Sequence, residues 1–125
     1  MLEWEGMKRF TSPSQRYGAD GETIACEFLQ SEGFAIVARN VSGSYGEIDI
    51  IGKKEGIYYF FEVKTGKESA GINPAENLTY HKIRKVLRTA EYYCMIHRIR
   101  DYRVEGMIVL IGPKGEVGVE RLDII

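Results

Sequence analysis

The sequence predicts a mixed α/β domain, a central mixed sheet flanked by helices in the order αβββαββ. Three observations predict it. Two segments repeat apolar residues at helical spacing. Five segments alternate, or concentrate β-branched and aromatic residues, as strands do. The 125 residues suit a single buried core, and 44% apolar content is too high for a disordered chain.

The elements follow in order. Residues 1–11 read as a loosely held arm, and residues 12–125 as a single domain. The first helix is expected to start near Ser12, because Ser12-Pro13-Ser14-Gln15 offers an N-cap, a proline at the first helical position and a glutamine three residues after the cap. Tyr17, Ile24, Ala25, Phe28 and Leu29 supply its apolar face, and Gly33 its stop. Gly18 and Gly21 are poor helix formers that either permit close packing or weaken the helix. Strands follow at Phe34–Arg39, Glu47–Gly52 and Ile57–Thr65, the last two joined by Lys53-Lys54-Glu55-Gly56. Residues 66–73 read as a mobile loop. Asn73-Pro74-Ala75-Glu76 then opens a second helix, with Ile83, Val86, Leu87, Ala90 and Cys94 as its buried stripe. Val104–Ile111 and Val117–Leu122 complete the sheet around a Gly112-Pro113-Lys114-Gly115 turn.

Composition narrows the function classes. The longest apolar runs, Ile57–Phe61 and Met107–Ile111, are five residues each, far below the ~20 that span a bilayer. The acidic N-terminus lacks the apolar stretch of a secretory signal. Cys26 and Cys94 lie far apart without metal-ligand spacing, so a reducing cytoplasm is expected, with no membrane partner. The net charge of -1 argues against simple coating of nucleic acid. Residues 81–103 nevertheless carry Lys82, Arg84, Lys85, Arg88, Arg98, Arg100 and Arg103 against only Glu91 and Asp101. Such a patch suits a polyanion and equally suits a solvated helix face.

The second and third strands hold the chemically informative residues. Alternation sets Ile48 and Ile50 on one face and Glu47 and Asp49 on the other. It also sets Phe60, Glu62 and Lys64 opposite Phe61 and Val63. Paired as a hairpin, the strands would converge Asp49, Glu62 and Lys64. Two carboxylates form a hard oxygen site for Mg²⁺ or Mn²⁺, and a neighbouring lysine can orient water and stabilise developing charge. The same alternation describes an antiparallel strand with one wet face and a weak Glu62–Lys64 surface pair. Tyr58, Tyr59, Phe60, Phe61 and Val63 make the third strand apolar on both faces up to Glu62. That pattern suits a central strand, where unsupported charge is costly, and it favours a site. His81 and His97 lack ligand spacing and read as surface or helix-end residues. Tyr92 and Tyr93 read as helix packing, with base stacking as the other use of such residues. Cys94 reads as core.

These residues carry a resemblance. The chain is similar to the YraN-like family (uncharacterised protein family 0102), within the PD-(D/E)XK nuclease superfamily and near archaeal Holliday-junction resolvases. The similarity rests on Gly18, Gly21-Glu22 and Ala25, on Arg39-Asn40, on Gly46-Glu47-Ile48-Asp49-Ile50-Ile51 and on Phe61-Glu62-Val63-Lys64-Thr65. Pro74, Glu76, Lys82 and Ala90 follow. It implies a restriction-endonuclease-like fold and a metal-dependent phosphodiesterase site. Asp49, Glu62 and Glu22 would then hold Mg²⁺ or Mn²⁺, Lys64 would position water, and Glu47 would assist indirectly. Alternatively, Glu22 is an exposed helix glutamate. Arg39, Lys67, Lys82, Arg84, Lys85 and Arg88 would meet nucleic-acid phosphates. Val41–Tyr45 contain no arginine, Gly66 stands where a basic residue is usual, and Glu105 stands for an aspartate, so this chain departs from the family pattern at phosphate-contacting positions.

The resulting expectation is a cytoplasmic, Mg²⁺-dependent endonuclease-like protein acting on DNA, including branched DNA, with a homodimer expected by fold analogy. A nucleic-acid-binding module that keeps the fold without cleaving, and an interaction protein with a structural ionic cluster, are the rivals.

Overall fold

The computed structural model describes residues 7–67 and 79–125. In chain order the elements are β1 (Lys8–Phe10), α1 (Gly21–Ser31), β2 (Ala35–Gly43), β3 (Gly46–Lys54), β4 (Ile57–Lys67), α2 (Tyr80–His97), β5 (Tyr102–Ile111) and β6 (Val117–Asp123). One six-stranded sheet runs β1-β6-β5-β4-β3-β2. The β4–β5 pair is parallel and every other pair antiparallel. A parallel pair needs a crossover, and α2 supplies it. Among the described residues, no helix is long and apolar enough to cross a membrane.

The sheet is covered on both faces. Ile24, Ala25, Phe28 and Leu29 of α1 pack on Ile50, Phe61, Met107 and Val109. Val86, Ala90 and Cys94 of α2 pack on Ile48, Ile51, Phe60 and Val104 on the opposite face. The apolar doublets Phe60-Phe61 and Ile50-Ile51 thus divide between two cores. The expected central position of the Ile57–Thr65 strand holds, since β4 lies between β3 and β5. Cys94 is buried as expected, and the stripe residues Ile83 and Leu87 are half-buried.

Three expectations are corrected. The first helix does not begin near Ser12. Gln15–Tyr17 form a short 3₁₀ turn that stops at Gly18, whose φ of 75° suits glycine. The helix begins at Gly21, where Asp20 Oδ1 accepts the Thr23 N–H at 2.8 Å. Ser12 and Ser14 instead donate to Glu27 Oε1 at 2.6 and 2.8 Å. Second, Lys8–Phe10 are not part of a loose arm, because they pair with β6. Third, Gly66 and Lys67 belong to β4, not to a loop. Among the described residues, α2 opens at Tyr80, where Thr79 Oγ1 accepts the Lys82 N–H. The expected opening at Asn73-Pro74-Ala75-Glu76, and residues 68–73 of the expected loop, lie outside the described residues.

Glu105 is 4% exposed on β5. Arg121 Nε donates to Glu105 Oε1 at 2.7 Å and Nη2 to Oε2 at 2.9 Å. The Arg121 guanidinium also lies 5.1 Å from the Phe34 ring centre and 5.7 Å from that of Tyr59. Both charges are therefore satisfied, and Glu105 serves the α1-side core. Replacing Arg121 with Met strands the buried carboxylate. Arg121→Met is expected to lose about 3 kcal/mol in urea unfolding, and Glu105→Gln with Arg121→Met to recover most of that loss.

Candidate active site

The site forms where the sheet forks. The β3–β4 ladder runs from Lys54↔Ile57 to Ile50↔Phe61 and ends there. Beyond it β3 stays with β2 as far as Gly43↔Gly46, while β4 stays with β5 as far as Lys67↔Ile111. At the split the Val63 N–H loses a ladder partner, and Asp49 Oδ2 accepts it instead at 2.7 Å. Opposite this region β2 is irregular as well, with a register shift between Ile36 and Ala38 and a left-handed Asn40 (φ 51°). The fork overturns the expectation that Ile48 and Ile50 share a face. Ile48 belongs to the α2-side core and Ile50 to the α1-side core. Strict alternation requires an unbroken pleat, and the pleat breaks around Asp49.

A hollow of about 320 Å³ opens at the fork, lined by Asp20, Gly21, Glu22, Asp49, Glu62, Val63, Lys64 and Thr65. Asp49, Glu62, Lys64 and Glu22 are thus brought to one place. Lys64 Nζ lies 3.3 Å from Glu62 Oε1, with side-chain exposures of 23% and 15%. Burial, and next the nearby Asp49, raise the Glu62 pKa against the opposing pull of Lys64. Glu22 arrives on the first turn of α1. Gly21 makes that approach possible: any Cβ there would collide with the Thr65 side chain on β4. Burial, and next Asp49, raise the Glu22 pKa as well. Glu22 Oε1 is buried without a hydrogen bond, and Arg39 Nε stands 3.6 Å away.

The donor set suits a hard divalent cation. Two mutually repelling carboxylates and a buried oxygen without a hydrogen bond share one hollow, and a cation would relieve both deficits. Among the described residues, no group of three or more His, Cys, Asp or Glu is gathered tightly enough to hold a metal ion. Any ion held there would take one or two of these carboxylates and complete its shell with water and phosphate, as Mg²⁺ does.

The candidate phosphate-contacting residues divide. Arg39 sits beside the hollow, within 3.6 Å of Glu22, and donates from Nη2 to Thr23 Oγ1 at 3.3 Å. Lys67 is exposed at the end of β4. Lys82, Arg84, Lys85 and Arg88 are exposed along α2, across the sheet from α1. His81 and His97 are exposed, at the start and end of α2. Tyr93 packs on Phe60 as expected. Tyr92 does not pack into the helix core: it is 41% exposed and meets Tyr45 at the β2–β3 turn. Sequence spacing missed that pair because its two members lie on different elements. Arg121, the partner of Glu105, carried no signal in the sequence either.

A sequence profile described as uncharacterised protein family UPF0102 matches residues 21–125. The chain is 37% identical over 106 residues to a UPF0102 protein of Dictyoglomus turgidum, covering 83% of this chain and 90% of that protein. It is 43% identical over 85 residues to one of Campylobacter lari, covering 68% and 74%. It is 34% identical over 105 residues to one of Clostridium perfringens, covering 84% of each. The match begins at Gly21, so it takes in Glu22 and the whole of the forked sheet from β2 to β6.

Two outcomes follow from the hollow. On propensity alone Gly21→Ala should stabilise a helix by about 1 kcal/mol. The contact with Thr65 reverses the sign, and a loss of about 1–3 kcal/mol is expected in chemical unfolding. Glu62 binds its proton more tightly folded than unfolded. Between the ordinary value of 4.5 and the raised folded value, the folded chain holds a proton that the unfolded chain has released, so stability falls as pH rises through that window. Glu62→Gln removes this penalty. In metal-free buffer the variant should melt above the parent at neutral pH, and the difference should shrink below pH 4.5. A variant that melts at or below the parent at neutral pH contradicts this account.

Proposed function

The chain belongs to uncharacterised protein family UPF0102, and from that premise we propose that it is a cytoplasmic, metal-dependent endonuclease-like protein that binds DNA and cleaves it by phosphodiester hydrolysis. The observation that carries this reading is the fork, where Asp49, Glu62 and Lys64 share a hollow open to solvent. We read the sheet, with its acidic fork beside a central strand, as a restriction-endonuclease-like fold of the PD-(D/E)XK superfamily. Asp49 and Glu62 would hold Mg²⁺ or Mn²⁺, with Glu22 lining the same hollow. Such an ion supplies water activation and offsets charge on the scissile phosphate.

The chain's own groups do the rest. Asp49 is anchored through Val63 N–H, so its carboxylate is fixed before substrate arrives. Lys64 orients the attacking water and stabilises negative charge as that water gives up a proton to solvent and adds to phosphorus, and as the P–O bond to the leaving oxygen breaks and that oxygen takes a proton from solvent. Arg39, Lys67, Lys82, Arg84, Lys85 and Arg88 meet backbone phosphates. Each phosphate neutralised adds ~0.9 to the salt slope on duplex DNA. Symmetric cleavage of a branched substrate would use two copies of the chain as a homodimer, by fold analogy. A second reading, a DNA-binding module without cleavage, is favoured by Lys82, Arg84, Lys85 and Arg88, which lie exposed along α2 and do not line the hollow.

The test incubates purified protein with labelled four-way junction, flap, single-stranded and duplex DNA, with Mg²⁺ or Mn²⁺, beside Glu62→Ala and Lys64→Ala. Cleavage is expected to require metal and to fall by roughly 10²-fold or more in both variants. A silent parent whose salt-dependent DNA binding survives Lys64→Ala supports the binding module instead.

A further inference from the structure

A groove larger than the carboxylate hollow lies on α2. It measures about 400 Å³ and is lined by Tyr45, Arg88, Glu91, Tyr92 and Met95. Tyr45 and Tyr92 are 46% and 41% exposed. Their rings meet edge to face, with centres 6.0 Å apart at 72°, and the Arg88 guanidinium stands 6.0 Å from the Tyr45 ring centre. In an edge-to-face pair, the ring that offers its edge keeps both faces clear of its partner. Two half-exposed aromatic rings beside an arginine are not needed for the core, since Tyr93, the neighbour of Tyr92, already packs on Phe60.

The place of this pair in the fold limits what it can meet. Tyr45 stands in the two-residue turn between β2 and β3. That turn is held close to α2, because a Cβ on Gly46 would lie 3.5 Å from Thr89 Oγ1 and 3.6 Å from Lys85 Cβ. Along β3, Tyr45 precedes Asp49 by four residues, roughly 13 Å of strand. Exposed Lys82, Arg84, Lys85 and Arg88 run along the same helix, against Glu91 as the acidic residue lining the groove. The chemistry is therefore aromatic face with cation, close to the hollow. It matches an anionic polymer that can present a free base face. A paired duplex keeps its base faces stacked inside, so only an unpaired nucleotide can use the rings.

We propose that Tyr45 and Tyr92, with Arg88, form a stacking platform for an unpaired base next to the cut site, so that the preferred substrate is DNA with a single-stranded segment joining a duplex. This rests on the nuclease reading and narrows its substrate. Stacking of one base on an aromatic ring is sequence-tolerant, so the platform selects DNA shape and not base identity.

The test measures binding in metal-free buffer, where cleavage plays no part. The probes are a splayed-arm duplex with 2-aminopurine at its first unpaired position, and a fully paired duplex with the same label. The parent should quench the unpaired label on binding. Tyr45→Ala and Tyr92→Ala should each weaken splayed-arm binding by roughly ten-fold and leave paired-duplex binding within about two-fold, and Tyr92→Trp should retain quenching. Equal losses on both probes, or no loss on the splayed arm, overturn the platform. If Tyr92→Ala and Met95→Asp abolish a dimer while splayed-arm binding is unchanged, the face joins two copies and the platform is again overturned. A parent that binds no DNA of any form removes the nuclease reading as well. A parent that cleaves while the tyrosine variants bind normally removes the platform alone.

Discussion

The hydrogen bond from Val63 N–H to Asp49 Oδ2 is the constraint on which the rest of the site depends. A strand that leaves its neighbour strands backbone groups, and buried ones must find new partners. Here the departing strand supplies the partner from its own side chain. The fork therefore places a carboxylate at the point where β4 loses its neighbour, and Glu62 follows Phe61, the last paired residue on that side. Burial, and next the Asp49 charge, raise the proton affinity of both Glu62 and Glu22. One backbone requirement thus fixes the carboxylate whose charge adds to the effect of burial.

Two kinds of internal acid stand side by side in this sheet. Glu105 is almost wholly buried yet fully answered by the paired nitrogens of Arg121. Glu62 and Glu22 are less buried but less fully answered: Lys64 stands 3.3 Å from Glu62, Arg39 stands 3.6 Å from Glu22, and Glu22 Oε1 is buried without a hydrogen bond. The first pattern holds a fold together. The second leaves carboxylates with raised proton affinity in an open hollow, and perturbed carboxylates of that kind concentrate at functional sites. Burial alone does not separate the two; satisfaction of the charge does.

Much of this was legible in the sequence. The both-faced apolar character of β4 announced a central strand, and the spacing of Asp49, Glu62 and Lys64 announced their convergence. Period-two reasoning failed where its premise failed: Ile48 and Ile50 occupy opposite cores because the pleat breaks between them. The helix start was misplaced because two capping signals compete. Pro13 satisfies the local rule, but Gly18 in a left-handed conformation ends that turn and Asp20 caps the real helix. β1 is three residues long and finds its partner near the other end of the chain, which no local pattern reveals. Gly21 admitted two readings, and only the position of Thr65 decides between them.

The outermost strands have a consequence for how copies of this chain can meet. One border of the sheet is β1, three residues beginning Lys8-Arg9. The other is β2, whose register shift and left-handed Asn40 interrupt the regular row of backbone donors and acceptors. Neither border offers a long, flat template for another strand. Runaway sheet growth between molecules is thereby discouraged, although the interior is rich in β-branched and aromatic residues. Any contact between copies would then fall to side-chain surfaces on the helices and turns, where it can be specific and finite.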